Sequence, residues 1–408
     1  MGEEDGEDIG TCWPREKGIV HRNIMKKSIL YISTTLPTPG FGSSVIFYRH
    51  LKRLEGWKIS IASFKQEPKA EHRMPKDWQI ISLPEPALRH PVRGARLSFL
   101  TNLRMKPLIN KCVDVFKDDK PSAILNQLGK NSIWAFYLSK ALKIPLNVVI
   151  HDRWQVWTKA EVDKLFMTEK WAIKILNHAS RVWAVSEELA KFYKVSNPEK
   201  VKVLYPISES GPEGFVEWRD DFKTSPVIGF TGSFHSPQIE HFKDLAAVLK
   251  DANGRLFIIT KKNDLIKERL PGIEDIEYHE PFTESSGVIK LLKERVSVML
   301  VCGSIEPNAP GAELSFPSRL VEFMHLGVPI IIIAASGTAL SSWAKRHKWP
   351  TYLEPQDKEK LSGLLKQLMD RENWGRIAEE VRRVARDEFS PDKIQAQFEK
   401  ELVRKDCL

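Results

Sequence analysis

The stretch ELSFPSRLVEFMHLGVPIIII (Glu313–Ile333) carries more chemistry than any other part of the chain. Pro317 suits the first turn of a helix, where a missing amide hydrogen has no bond to lose. Ser318 and Arg319 then open that helix with free amides and a guanidinium, a combination suited to a diphosphate. Glu322 follows about one turn later. A carboxylate there can take both hydroxyls of a ribose, as acidic residues do in other nucleotide folds. Gly327 ends the helix and Pro329 begins a strand. The plain alternative is an ordinary helix with one solvated Glu–Arg pair.

Three more loops hold candidates. In TTLPTPGFGSSV (34–45), Gly40 and Gly42 allow close backbone approach, and Ser43 and Ser44 can cap the next helix. The amide end of that helix favours a phosphate or sugar oxygen, although the loop lacks the lysine and spacing of a P-loop. In VVIHDRWQVW (148–157), His151 and Asp152 fall just past an apolar strand. An imidazole there can reach a ligand while the carboxylate orients it; a packed histidine and a capping aspartate are the alternative. In GFTGSFHS (229–236), Gly232 closes a strand and Ser233 offers backbone and hydroxyl donors to an anion.

Every one of these positions follows an expected strand, and that order defines the scaffold. SILYIST, WKISIASF, WQIISL, SAILNQ, LNVVI and RVWAVS read as strands, separated by helices such as VIFYRHLKRLEG and IWAFYLSKAL. A break rich in glycine, acid and proline covers 208–224, and then the same grammar restarts with PVIGFTGS, RLFIIT, VSVMLVCG and VPIIIIA. Strand–helix alternation of this kind gives a parallel sheet with helices on both faces. The expected fold class is therefore α/β, with two Rossmann-like, doubly wound parallel-sheet domains. Ligands of such sheets bind beyond the carboxyl ends of the strands, where the four loops lie.

Composition narrows the class. The chain has 408 residues and a mean hydropathy of −0.31, with 42% apolar and 28% charged residues; that fits a globular protein and argues against a disordered or fibrous one. Cys12, Cys112, Cys302 and Cys407 lie far apart, with no CxxC pair, so a disulfide framework and a structural zinc are both unexpected. Cysteine usage points to a reducing, cytoplasmic compartment. The uncharged run 327–344 is interrupted by Pro329 and Gly337, and its apolar density, at 329–335, reads as a buried strand rather than a membrane span. Residues 1–24 are acidic, lack an apolar core and read as a disordered leader or as an over-long start ahead of Met25. The net charge of +9 is uneven. Residues 25–212 carry about 31 Lys and Arg against about 16 Asp and Glu, so the first half faces something anionic.

Together these loops resemble the GT-B glycosyltransferases of the retaining family-4 type. The likeness runs from Lys27 to the C-terminal helices and is tightest over 226–334. It is carried by FPSRLVEFMHLGVPIII, close to the family's P-S-K-L-x-E-Y-x-x-x-G-x-P-V-I variant, with Arg319 where lysine is usual. The resemblance implies an acceptor-binding domain at 25–212 and a nucleotide-sugar domain at 213–385. It also implies a final segment, 386–408, whose helix crosses back onto the first domain. Glu322 would hold the nucleotide ribose, and Leu314 stands where the family's other glutamate belongs, so that sugar contact is either absent or supplied by Glu313 beside it. Gly42 and Ser43 match the loop that meets the donor phosphate, and His151 matches the histidine at the sugar end. Gly232 is kept, but Ser233 replaces the arginine that usually follows, and no lysine occurs before Lys243. Lys261, Lys262 or Arg319 would then supply the missing charge.

The expected reaction is transfer of a sugar from a nucleotide diphosphate sugar to a polysaccharide, glycolipid or protein. No Asp-x-Asp pair stands in the ligand loops, so neither a metal nor another cofactor is expected; cations and helix-end amides would meet the charge on the departing diphosphate. A retaining reaction needs no dedicated base, whereas an inverting one would use His151 or Asp152. Arg93 and Arg96, in a basic run interleaved with Leu97, Phe99 and Leu100, would dock a lipid-linked acceptor or the anionic inner face of a membrane; a solvated, arginine-rich connection reads equally well. Nucleic acid is not an expected partner, since no recognised module accompanies the charge. A catalytically idle sugar- or partner-binding subunit of the same fold, and a nucleotide-sugar epimerase, are the alternatives.

Overall fold

The computed structural model describes residues 27–33, 36–39, 43–63, 74–83, 97–129, 131–153, 169–209, 211, 214–232, 239–260, 276–280, 282, 285–303, 311, 313–355 and 357–402. Its first unit runs β1 (Ser28–Ile32), α1 (Ser43–Lys52), β2 (Lys58–Ser63), β3 (Gln79–Ser82), α2 (Leu97–Val115), β4 (Ala123–Gln127), α3 (Ser132–Leu142), β5 (Leu146–Ile150), α4 (Glu169–His178), β6 (Arg181–Ala184), α5 (Glu187–Phe192) and β7 (Val201–Val203). Its seven strands lie in the order β3-β2-β1-β4-β5-β6-β7, and every pairing is parallel.

The second unit repeats the plan with α6 (Asp221–Thr224), β8 (Val227–Thr231), α7 (Ile239–Asp251), β9 (Arg255–Ile259), β10 (Ile276–His279), α8 (Ser285–Arg295), β11 (Val298–Cys302), α9 (Ser318–Met324), β12 (Ile330–Ile333), α10 (Ala339–Arg346) and β13 (Tyr352–Leu353). The order of its six strands is β10-β9-β8-β11-β12-β13, again with parallel pairing throughout. Three helices close the chain: α11 (Lys358–Leu368), α12 (Arg371–Asp387) and α13 (Pro391–Leu402).

Burial explains the apolar runs. Parallel sheets are covered on both faces, so strands such as β5 and β12 are buried along their whole length. Local chemistry sets the helix limits. Thr338 and Ser341 form a reciprocal capping box on α10, and the Asp370 side chain accepts from the Asn373 amide at the start of α12. Along α12, Trp374, Ile377, Ala378, Val381, Val384 and Ala385 form the buried stripe that helical spacing requires.

The chain then returns to the first unit. Ile394, Phe398 and Leu402 of α13 share a core cluster with Ile29, Phe47, Trp57 and Trp183. The Asn147 amide donates to the Leu402 carbonyl at 3.0 Å, and Arg181 of β6 pairs with Glu401. The expected crossing-back helix is thus present, anchored by apolar packing and by polar contacts at its far end. Where the chain passes between units it also packs on itself: the Tyr205 ring lies 5.3 Å from Phe316 and 5.0 Å from Phe389.

Candidate functional site

Each sheet has one place where strand order reverses, β1/β4 in the first and β8/β11 in the second. Helices leave in opposite directions at such a point and open a crevice at the strand ends. The second crevice lies between Gly232, after β8, and the start of α9. Gly232 sits at φ +118°, a conformation that favours glycine. A Cβ on it would stand 3.0 Å from Arg319 Nη1. Arg319 reaches back from α9, donates to the Thr231 carbonyl at 2.9 Å and covers the Phe230 ring at 5.1 Å. Burial lowers the pKa of this guanidinium and raises that of the neighbouring Cys302 thiol to about 12. A cation is therefore built into the turn where Ser233 replaces an arginine. Pro317, however, has extended angles (φ −73°, ψ 116°) and takes the N-cap position, with the helix starting at Ser318 and no side chain capping it. The expected proline in the first turn is thus shifted one residue outward, because its fixed φ suits either place.

Glu322 does not pair with Arg319. Its Oε1 accepts from Arg49 Nη1 at 2.6 Å, and Arg49 belongs to α1 of the other unit. The neighbouring acid behaves alike, since Glu313 meets Arg153 at 3.5 Å. Arg153 follows His151 and Asp152 directly, and its guanidinium lies over the Phe192 ring at 4.9 Å. The Ser186 hydroxyl, which also caps α5, donates to the Leu314 carbonyl at 2.8 Å. These contacts bring the ends of β5 and β6 against residues 313–314, so the His151 loop faces the approach to α9. His151 and Asp152 are part-buried, and His151 Nδ1 is buried without a hydrogen-bond partner among the described residues.

The structure therefore brings Gly232 to Arg319, and the His151–Asp152 loop to Glu313. Ser43 begins α1, but its side chain, like Gly42, Ser233, Lys261, Lys262, Arg93 and Arg96, lies outside what is described. Among the described residues, no group of three or more His, Cys, Asp or Glu side chains could hold a metal ion, and no helix is long and apolar enough to cross a membrane. Arg49, Arg153 and Ser186 were missed by sequence reasoning. The one available signal was at Arg49, an arginine set within the apolar run VIFYRHL of a helix that is buried nearly all round.

Two doubly wound parallel sheets, their strand ends facing each other and a last helix returning to the first, decide the architecture. The fold is GT-B. No family model matches the sequence, and no curated protein matches it, but solved structures do. HepE from Anabaena, in complex with UDP-glucose, superposes with a TM-score of 0.62 at 16% identity, covering 92% of this chain and 99% of that one. Sucrose-phosphate synthase from Thermosynechococcus elongatus gives 0.62 at 13% identity, over 92% and 98% of the two chains. A glycosyltransferase from Rickettsia africae gives 0.62 at 14% identity, over 94% and 100%.

Proposed function

We propose that this chain is a glycosyltransferase that moves a sugar from a nucleoside diphosphate sugar to a hydroxyl of a polysaccharide, glycolipid or protein. The observation that carries the reading is the second switch point, where Arg319 is folded onto Gly232 and Glu322 stands one turn further along the same helix. A guanidinium at the strand end would meet the charge that develops on the departing diphosphate, so that no metal is required. The solved GT-B neighbour that holds UDP-glucose supports the donor class.

In this reading Glu322 takes the ribose hydroxyls and Glu313 faces the sugar. Gly232, Arg319 and the amides at Ser318 line the diphosphate, with Gly42, Ser43, Ser233, Lys261 and Lys262 completing that wall. His151 and Asp152, opposite Glu313, border the anomeric carbon. The transfer is retaining, and a donor phosphate oxygen assists the acceptor hydroxyl. Arg93 and Arg96, within the basic first half, receive an anionic or lipid-linked acceptor at the inner face of a membrane.

Thermal unfolding with UDP-, GDP- and dTDP-sugars tests the proposal. One donor raises the melting temperature of the wild type, and Glu322→Ala abolishes the shift. Slow donor hydrolysis accompanies binding. Stabilisation without any hydrolysis or transfer would favour an idle sugar-binding subunit, and no shift with any donor would remove the reading.

A further inference from the structure

We propose that Arg49 is a positioning residue for Glu322, fixing one carboxylate oxygen so that the other is presented to the ribose. The inference rests on the donor reading above, and it assigns a part of the nucleotide site to the acceptor-side unit.

Arg49 is 5% exposed and Glu322 19% exposed, so the pair is shielded from water. The same Arg49 Nη1 donates to the Ile207 carbonyl at 2.9 Å, which ties the guanidinium to the segment connecting the two units. A guanidinium desolvated to this degree needs a close counter-charge. Glu209 is 3.9 Å away and 42% exposed, too distant and too wet to be the main one. Glu322, at 2.6 Å, is the principal partner. Only Oε1 is engaged, and among the described residues Oε2 accepts no hydrogen bond. A carboxylate held by one oxygen has lost most of its rotational freedom while keeping an acceptor to offer.

A bystander arginine would have none of these consequences for ligand choice. If Arg49 aims Glu322, its loss weakens recognition of the ribose hydroxyls specifically and leaves diphosphate contacts in place. The interaction exists in the ground state and the transition state alike, so the cost falls on KM rather than kcat.

The experiment is titration calorimetry of the full chain with UDP and GDP, each against its 2′-deoxy form, for wild type, Arg49→Met and Arg49→Lys. Wild type is expected to prefer the ribonucleotide by about tenfold. Arg49→Met brings the preference to within about twofold and raises the donor KM with kcat little changed. Arg49→Lys keeps the charge without the planar fork and loses at least about threefold of the preference. The lysine variant carries the test if the methionine variant does not fold. Wild-type discrimination that survives in the folded variants overturns the positioning role and leaves the donor reading intact. Tighter ribonucleotide binding by Arg49→Met would make Arg49 a competitor of the ligand and also overturns it. A wild type that binds neither nucleotide, or binds both forms equally, removes the ribose reading and this role with it.

Discussion

An imidazole with no room for a proton loses stability as soon as the unfolded chain can take one up. His50 and His325 are both fully buried, and burial pushes each of them down to about 4. His50 also touches Gln395 of α13, and His325 the Phe389 carbonyl between α12 and α13. Their folded pKa lies below the unfolded value near 6.5. The stabilisation is therefore complete above that value and is lost as pH falls from about 6.5 toward 4. Between pH 7.5 and 5, each imidazole should cost about 2 kcal/mol. Urea titrations at the two pH values check this, and an unchanged midpoint would contradict it. Legibility in the sequence also ends at this scale. Glu322 could be picked out because its neighbours spell a motif, whereas its partner Arg49 lies 273 positions away. The place of Arg49 in the apolar run VIFYRHL marks it as unusual, but nothing local shows that its role is set by the opposite sheet.

The elements were easier to read, because period and punctuation are local. The buried strands and amphipathic helices on both sides of the break at 208–224 follow the apolar spacing of the sequence. The helices α8 and α10 and the strands β7, β10 and β13 were not foreseen. β10 is only part-buried along its length, and β13 has two residues; neither offers a run long enough to show alternation. Two substitutions test how elements are held. Phe398 is buried in α13 against the His50 and Trp183 rings, at 4.8 and 4.9 Å. Phe398→Ala should destabilise the protein by about 3–5 kcal/mol, read as a lower urea midpoint. Gly327, expected to end the helix, instead lies in the turn beyond α9, which stops at Met324 with His325 as its cap; it sits at φ +73°, and a Cβ there would fall 2.6 Å from the Phe215 ring. Gly327→Ala should cost about 2 kcal/mol through strain and crowding together, with Gly363→Ala, where nothing lies within 4 Å, as the control that does not.

For the molecule as a whole, two cores that merge should melt together. One apolar cluster runs from Leu30 and Ile124 under the first sheet, through Leu314, Phe316 and Phe389, to Val301 and Ile332 of the second. Calorimetry should show a single cooperative transition for the complete chain. Removing residues from Pro391 onward strips Ile394, Phe398 and Leu402 from the other major cluster of the first unit, and should split off an earlier transition. A truncated chain that still melts in one step at the wild-type temperature would refute this view of α13. The two-unit plan was readable because the strand–helix grammar visibly restarts. The side-chain contacts that set the registration of the two units were not, because they join distant segments.

The polarity of the contacts across the gap has a practical outcome. Arg49 and Arg153 of the first unit meet Glu322 and Glu313 of the second, whereas at Arg346 the signs are reversed, with Glu187 and Glu188 on the first unit. This alternation works like the teeth of a key, accepting one registration of the halves and opposing any that slides like charges together. A chimaera built by grafting another protein's acceptor half onto this donor half should therefore keep this registration best when it carries arginines at the first two positions and acids at the third.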